Sequence, residues 1–158
     1  MIPVNKPLFS GNESKYLLNC IKSGWISSNG KYVKKFEKKF ANYIGRKFST
    51  SVSNGSVALE IALKALNLKS GSEVILPTFT IISCCNSIIK AGLKPVLVDC
   101  DRDTFNMNID HVKNKINKNT SAILMVHIYG ITVDVDKILQ LAKKNKLKII
   151  EDAAEMHG

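Results

Sequence analysis

The stretch SAILMVHIYGITVDVDKILQLAKKNKLKIIED, residues 121–152, decides the fold. It begins with a run of aliphatic residues, Ser121–His127, and ends in a second apolar run, Leu147–Ile150. Between the two runs, Val135–Lys144 carries apolar residues at helical spacing. Near-continuous apolar strands are typical of a parallel sheet that is covered on both faces. The stretch therefore predicts a strand, a helix and a second strand parallel to the first.

The same alternation extends toward the N-terminus. Apolar runs predict strands at Glu73–Leu76 and Pro95–Asp99, and a shorter strand is predicted at Phe48–Ser53. Strands that alternate with helices predict an α/β domain with a mostly parallel, doubly wound sheet. The helices predicted between the strands are Val57–Leu66, a segment that follows Thr80 and ends near Lys90, and Ile109–Ile116.

Two amphipathic helices are predicted ahead of this sheet. They are Asn12–Ser23 and Lys31–Ile44, and Gly24 can end the first of them in the left-handed conformation. We therefore expect an N-terminal helical segment over residues 1–47 and the α/β domain over residues 48–158. The lysines of the second helix lie mostly opposite its apolar stripe, a pattern more typical of a solvated helix face than of a binding patch.

The net charge of the 158-residue chain is +10, from 23 Lys and Arg against 13 Asp and Glu. Only Arg46 and Arg102 are arginines, whereas arginine is the residue that reads bases and phosphates bidentately. We therefore expect no nucleic-acid partner, and a basic nucleic-acid-binding module stays as an alternative that rests on the lysine-rich helix. No apolar run approaches the roughly 18–20 residues that span a bilayer, so we also expect no membrane partner.

Four cysteines, Cys20, Cys84, Cys85 and Cys100, are spread along the chain without a C-x-x-C pair. Their spacing suits neither a zinc site nor a disulfide framework. We expect small, buried, free thiols in the reducing cytoplasm, and no metal site.

The tripeptide Asn54-Gly55-Ser56 lies between a predicted strand and the start of a predicted helix. Backbone N–H groups at a helix N-terminus, together with the helix dipole, bind anions. Gly55 would allow close backbone approach, and the Ser56 hydroxyl would donate to a phosphate oxygen. An ordinary turn with a helix cap is the alternative interpretation.

A second group of polar residues follows the predicted strands, where ligands bind in open α/β sheets. Asp152 comes after an apolar strand, and a carboxylate at that depth needs a partner, such as a protonated heterocyclic nitrogen or a helix N-terminus that it caps. His127 and Tyr129 could line the same crevice, although a structural histidine is the commoner interpretation. Asp99 and Asp101 suggest either a metal or ribose contact or, more simply, a polar loop.

Five stretches of the chain occur in an order and spacing that resemble one family, the DegT-type nucleotide-sugar aminotransferases, and most of all its perosamine-synthase branch. These enzymes have PLP fold type I. The resemblance implies that this chain is the N-terminal part of such a large domain, with the rest of that domain and a small domain absent. The stretches are GWISSNGKYVKKFE (24–37), SVSNGSVALEIAL (51–63), PTFTII (77–82), VHIYG (126–130) and IIEDAAEMHG (149–158).

The resemblance implies a cofactor, pyridoxal 5′-phosphate (PLP), and roles for five residues. Gly55 and Ser56 would hold its phosphate, and Asp152 would pair with its pyridine nitrogen. Glu155 would lie near its ring hydroxyl, where many relatives have Gln. Ile81 takes the place at which many relatives stack an aromatic ring on the cofactor. Such stacking adds about 0.5 to 1.5 kcal/mol beyond area burial, which an aliphatic side chain does not supply.

The activity implied by the resemblance is transamination of a nucleotide-linked 4-keto-6-deoxy sugar for surface polysaccharide such as O-antigen. Glutamate would be the amino donor, and the enzyme would be a cytoplasmic homodimer. The family's Schiff-base lysine would lie beyond Gly158, so no catalytic residue is expected in the chain, which by itself is expected to be inactive. Two alternatives stay open: a PLP-dependent sugar 3-dehydratase of the same fold, in which histidine replaces the lysine, and a non-catalytic truncated remnant.

Overall fold

A computed structural model describes residues 2–3 and 6–157, so Gly158, the last residue of the fifth similar stretch, lies outside the described residues. The chain divides into two compact units, residues 1–51 and 52–158. In the first unit, helix α1 spans Glu13–Ser23 and helix α2 spans Lys31–Tyr43. Gly24 ends α1 with φ at 71° and donates its N–H to the Ile21 carbonyl, which confirms the predicted left-handed cap.

The prediction of a strand at Phe48–Ser53 is wrong. The structure describes all six residues, and none of them belongs to a strand. Part of this segment bonds to Glu37 of α2 instead. The Ser49 hydroxyl donates to the Glu37 carbonyl at 2.7 Å, and the Ser51 N–H and hydroxyl both donate to Glu37 Oε1 at 2.9 Å. The backbone and side-chain bonds from Ser51 lower the pKa of the Glu37 carboxyl. Ser49 and Ser51 thus bond to the backbone carbonyl and the carboxylate of one α2 residue and not to a neighbouring strand.

The second unit is built on a four-stranded sheet in which all three pairings are parallel. The strands are β1 (Glu73–Pro77), β2 (Lys94–Val98), β3 (Thr120–Val126) and β4 (Lys148–Asp152), in the order β2-β1-β3-β4. The chain therefore moves from β1 to one edge, returns past β1 to β3, and continues outward to β4. The predicted α/β class with a mostly parallel sheet is confirmed.

Four α-helices connect or precede these strands, and a short 3₁₀ turn, Ile128–Gly130, follows β3. Three of the helices begin at a side-chain cap, since Asn54, Asn108 and Asp134 each accept a hydrogen bond from the backbone N–H three residues further on. The helices are α3 (Gly55–Ala65), α4 (Ile82–Lys90), α5 (Ile109–Lys115) and α6 (Val135–Asn145).

Strand β3 is the centre of the hydrophobic core on both faces of the sheet. Because side chains alternate along a strand, Leu124 packs into a cluster with α3 and α4, whereas its neighbour Ile123 packs into a second cluster with α5 and α6. Both side chains are fully buried. The helices thus cover the two faces, which explains why the strands read as continuous apolar runs.

No helix within residues 2–3 and 6–157 combines the length and the apolar character needed to cross a membrane. The four cysteines are free, and Cys84 is fully buried whereas Cys20, Cys85 and Cys100 are half-buried.

Candidate functional site

An open pocket of about 360 Å³ lies at the ends of three strands of the sheet. Its walls come from the residues that follow β1, those that follow β3, and the end of β4 with the turn after it. This is the edge at which ligands bind in open α/β sheets. The lining residues are Phe79, Thr80 and Ile81 after β1, Val126, His127, Ile128 and Tyr129 at the end of β3, and Asp152, Ala154 and Glu155.

Asp152 is the last residue of β4 and is half-buried in this pocket. Its Oδ1 accepts a hydrogen bond from the Ala154 N–H at 3.1 Å, and its Oδ2 accepts one from the Cys84 thiol at 3.4 Å. An ionised carboxylate has about four lone-pair sites, so Asp152 can still accept from a cationic N–H donor. The residues that it precedes form a turn and not a helix, which does not support the helix-capping alternative.

Glu155 lies in the turn after β4, on the same wall of the pocket as Asp152, and is held by the backbone that follows β3. Its Oε2 accepts the N–H of Tyr129 at 2.6 Å. Tyr129 has φ at 49°, a strained conformation for a residue with a large side chain, and its ring meets Phe79 edge-on at 6.2 Å. Backbone strain of this kind concentrates at functional sites. Among the described residues, Glu155 Oε1 has no hydrogen-bond partner, so it can take a ligand.

Ile81 lines the pocket and its side chain is 61% exposed. It precedes the first residue of α4, with extended backbone. The side chain therefore offers the pocket an apolar surface, which can contact a flat ring by dispersion but cannot stack on it.

Gly55 and Ser56 form the N-terminus of α3 and do not line the pocket. A Cβ added to Gly55 would have no atom within 4 Å, so the space beside Gly55 is open. The Ser56 hydroxyl lies 2.8 Å from the hydroxyl of Ser83 in the first turn of α4. Because Ser83 is followed by Cys84, which bonds Asp152, the first turn of α4 connects the helix terminus to the pocket.

His127 fits the interpretation as a structural histidine better than that of a residue that contacts a ligand. Its side chain is 2% exposed, its Nδ1 accepts the Val133 N–H at 3.3 Å, and its Nε2 lies 2.9 Å from Glu151 Oε1. Since Nδ1 acts as an acceptor, the ring proton is on Nε2 and is donated to the Glu151 carboxylate. Both ring nitrogens are therefore engaged, and His127 has no atom left for proton transfer to a ligand.

Asp99 and Asp101 belong to a polar loop. Asp101 Oδ1 accepts the N–H groups of Asp103 and Thr104, both at 3.0 Å, and the Thr104 hydroxyl at 3.2 Å. These bonds, led by the one from the Thr104 N–H, lower the pKa of Asp101. Over residues 2–3 and 6–157 there is no group of three His, Cys, Asp or Glu residues that could hold a metal ion.

Cys84 is the residue that sequence reasoning missed. It was expected to be a buried thiol and nothing more, but its sulfur lies 3.4 Å from Asp152 Oδ2 and 3.3 Å from Thr80 Oγ1. Burial raises its pKa to about 11, and the negative charge of Asp152 acts in the same direction, while the Thr80 hydroxyl opposes the shift. The four-residue spacing of Thr80 and Cys84 across a helix start is the signal that could have found the pair.

We expect Cys84 to be the slowest of the four thiols to react with iodoacetamide in the folded chain at pH 8. The thiolate is the nucleophile, and a pKa of about 11 leaves roughly one thiol in a thousand ionised at that pH. The Cys84 side chain is also fully buried, so restricted access of the reagent slows its reaction in the same direction as the low thiolate fraction. Mass spectrometry of the labelled peptides measures each rate, with Cys85, the half-buried neighbour, as the control. Equal rates at Cys84 and Cys85 would contradict the raised pKa.

The chain belongs to the DegT/DnrJ/EryC1/StrS aminotransferase family, which matches it over residues 8–158. Among curated relatives, it is 46% identical over 158 residues to the GDP-perosamine synthase of Vibrio cholerae. It is 45% identical over 157 residues to the GDP-perosamine synthase of Escherichia coli O157:H7. The alignments cover 100% and 99% of this chain but only 43% of either relative. The chain thus spans less than half the length of the enzymes that it resembles.

Solved structures of similar enzymes have the same fold over this region. An aminotransferase from Psychrobacter cryohalolentis superimposes with a TM-score of 0.91 at 33% identity, and the match covers 96% of this chain and 39% of that one. A GDP-4-keto-6-deoxymannose-3-dehydratase, solved with a trapped PLP-glutamate geminal diamine, gives 0.92 at 29% identity, covering 99% of this chain and 42% of that one. The resemblance inferred from the sequence is confirmed.

Proposed function

We propose that this chain forms part of the PLP-binding domain of a nucleotide-sugar aminotransferase. The reaction is transfer of an amino group to a nucleotide-linked 4-keto-6-deoxy sugar, as in the GDP-perosamine synthases that it resembles. The observation that carries the proposal is Asp152, a half-buried carboxylate at the end of strand β4 in the pocket, with acceptor capacity to spare. Glutamate as amino donor, a homodimer and a cytoplasmic location belong to the same proposal and rest on the family resemblance.

The residues present fit this cofactor. Asp152 would accept a hydrogen bond from the protonated pyridine nitrogen and would favour its cationic form, because a carboxylate favours a protonated partner. Glu155 Oε1 would accept a hydrogen bond from the ring hydroxyl, and the Ile81 side chain would contact the ring. Gly55 and Ser56 would bind the phosphate at the α3 N-terminus, where the absence of a side chain at Gly55 leaves space beside the backbone N–H groups. When bound, PLP supplies an electron sink for amino-group transfer.

The proton-transferring lysine of this chemistry is not one of the residues that line the pocket, as far as the structure describes them. The family resemblance implies that this lysine would lie further along the sequence, beyond Gly158. The chain by itself is therefore expected to bind the cofactor reversibly and to have no aminotransferase activity.

Pyridoxamine 5′-phosphate, the amine form of the cofactor, tests the site because it has no aldehyde to react with the many surface lysines. We expect it to raise the free energy of unfolding of the 158-residue chain by about 2.7 kcal/mol at a concentration one hundred times Kd. Ser56→Ala should weaken this binding, since it removes a hydroxyl donor to the phosphate. Ser53→Ala, at an exposed position three residues earlier, is the matched control. Urea unfolding with and without ligand gives both quantities, and an unchanged midpoint in the wild type would overturn the proposal.

A sugar 3-dehydratase of the same fold is the second candidate. It is supported by the TM-score of 0.92 to GDP-4-keto-6-deoxymannose-3-dehydratase, whereas the higher sequence identity to GDP-perosamine synthases favours the aminotransferase. Sequencing the source transcript beyond the codon for Gly158 separates the candidates. A lysine at the family position supports the aminotransferase, a histidine supports the dehydratase, and an immediate stop codon supports a truncated remnant that only binds.

A further inference from the structure

A chain of two hydrogen bonds leads from Thr80 through Cys84 to Asp152. We infer that Cys84, supported by Thr80, is a positioning residue that fixes the orientation of the Asp152 carboxylate. The two bonds join the segment after β1 and the first turn of α4 to the end of β4. The inference concerns how Asp152 is held, and its consequence for cofactor binding rests on the proposed function.

The direction of the two bonds follows from the protons available. A thiol has one proton, and Cys84 uses it toward Asp152 Oδ2 at 3.4 Å, where the carboxylate can only accept. The Thr80 hydroxyl, 3.3 Å from the same sulfur, must then donate to it. Both partners of the sulfur are thereby assigned, and the thiol cannot rotate away from the carboxylate without losing two bonds.

The carboxylate is held at both oxygens by different parts of the chain. Cys84 holds Oδ2 from α4, and the Ala154 N–H holds Oδ1 from the turn after β4. Two donors on two oxygens fix the rotation of the carboxylate group, which a single donor would leave free. The remaining lone pairs of the Asp152 carboxylate, which accept from neither donor, therefore keep a fixed direction.

A thiol suits this position better than a charged or strongly donating group. Cys84 is fully buried, and burial keeps its proton in place throughout the neutral range. A neutral thiol is a weak donor, so it orients Asp152 while leaving most of the carboxylate's negative charge for a cationic partner. A lysine or arginine in its place would compete with a protonated ring nitrogen for the same charge.

The first arm of the test needs no cofactor. The S–H stretching band of Cys84, assigned in infrared spectra by its loss in Cys84→Ser, should lie at lower frequency than the band of Cys85, because donation to a carboxylate weakens the S–H bond. Exchange of Asp152 for Ala should move the Cys84 band to higher frequency and leave the Cys85 band in place. A Cys84 band that does not respond to the loss of Asp152 would overturn the inference.

The second arm measures binding of pyridoxamine 5′-phosphate to the 158-residue chain. Cys84→Ala should weaken binding about 2- to 10-fold, the range expected for one hydrogen bond of ordinary strength, because the thiol is a weak donor. Cys84→Ser should restore most of the affinity, because it returns a donor in nearly the same volume. Cys85→Ala, which removes the adjacent thiol, is the control and should bind as the wild type does.

The two arms separate failure of the inference from failure of the proposed function. If the wild type binds and Cys84→Ala binds equally tightly, the positioning role is overturned and the proposed function stands. If Cys84→Ser binds as weakly as Cys84→Ala, packing and not donation explains the loss, and the inference is again overturned. If the wild type does not bind, the proposed function fails, and the infrared arm alone decides whether Cys84 fixes Asp152.

Discussion

Exchange of Asp152 for Asn is expected to weaken binding of pyridoxamine 5′-phosphate by roughly 10- to 150-fold. A hydrogen bond to a charged group contributes about 1.5–3 kcal/mol, and each 1.4 kcal/mol is a factor of ten in affinity. The amide has nearly the same shape and can still accept the Ala154 N–H through its oxygen. It lacks the charge that holds a protonated ring nitrogen, so the loss reports the electrostatic role and not the packing. Fluorescence titration at constant pH measures the change.

Glu151→Gln is the matched control for this experiment. Glu151 is the neighbouring residue of β4, and it is exposed and accepts from His127. The amide oxygen of Gln can accept the same bond, so affinity for the ligand should stay within about twofold. Asp152→Asn with wild-type affinity would remove Asp152 from the cofactor site. A similar loss in Glu151→Gln would show that any negative charge at this edge of the sheet attracts the cationic ligand, without a direct contact from Asp152.

Leu124→Ala is expected to lower the free energy of unfolding by about 2–5 kcal/mol, the range for deletion of a fully buried leucine side chain. Leu124 lies in the central strand, with α3 and α4 packed on it, so the surroundings have little freedom to close the cavity. Because small domains are stable by only about 5–15 kcal/mol, this single change removes a large share. Urea unfolding measured as a change in midpoint at constant slope gives the value.

Leu139→Ala provides the comparison on α6, where the leucine side chain is 46% exposed. It should cost less than about 1 kcal/mol, since most of its environment is already water. Comparable losses in the two variants would contradict the placement of the core at β3, whereas a large loss at Leu124 alone supports it.

The strands of the sheet could be predicted from the sequence because each is buried on both faces. The apolar run Ser121–His127 predicts β3 to within one residue, Thr120–Val126 in the structure. The same reasoning failed at Phe48–Ser53, where local composition resembles a strand but no neighbouring strand is present within the described residues. Strand formation depends on a partner elsewhere in the chain, and a pattern within six residues contains no information about that partner.

The sequence predicts a site residue where that residue follows a strand. It does not predict one whose role depends on contact with a residue distant in sequence. Asp152 lies at the pocket, as the strand end indicated, and so does Glu155, which the family resemblance placed there. Gly55 and Ser56 lie at the predicted helix start but outside the pocket lining, and their binding of phosphate stays a prediction. Cys84 was missed because its contact with Asp152 joins residues 68 positions apart, and an apolar sequence context predicts burial without showing which polar group a buried thiol will meet.

The strand order has a consequence for how the site comes into existence during folding. From β1 the chain first crosses through α4 on one face of the sheet to β2, and then returns through α5 on the other face to pair β3 with β1. The pocket opens between the ends of β1 and β3, which are neighbours in space although more than forty residues of chain separate them. Such a non-local pairing incurs the entropy of closing that loop before it gains any contact. The pairing of β1 with β3 is therefore expected to form later than that of β1 with β2, and a nascent chain that has closed only the first crossover would have the β1 wall of the pocket without the wall from β3.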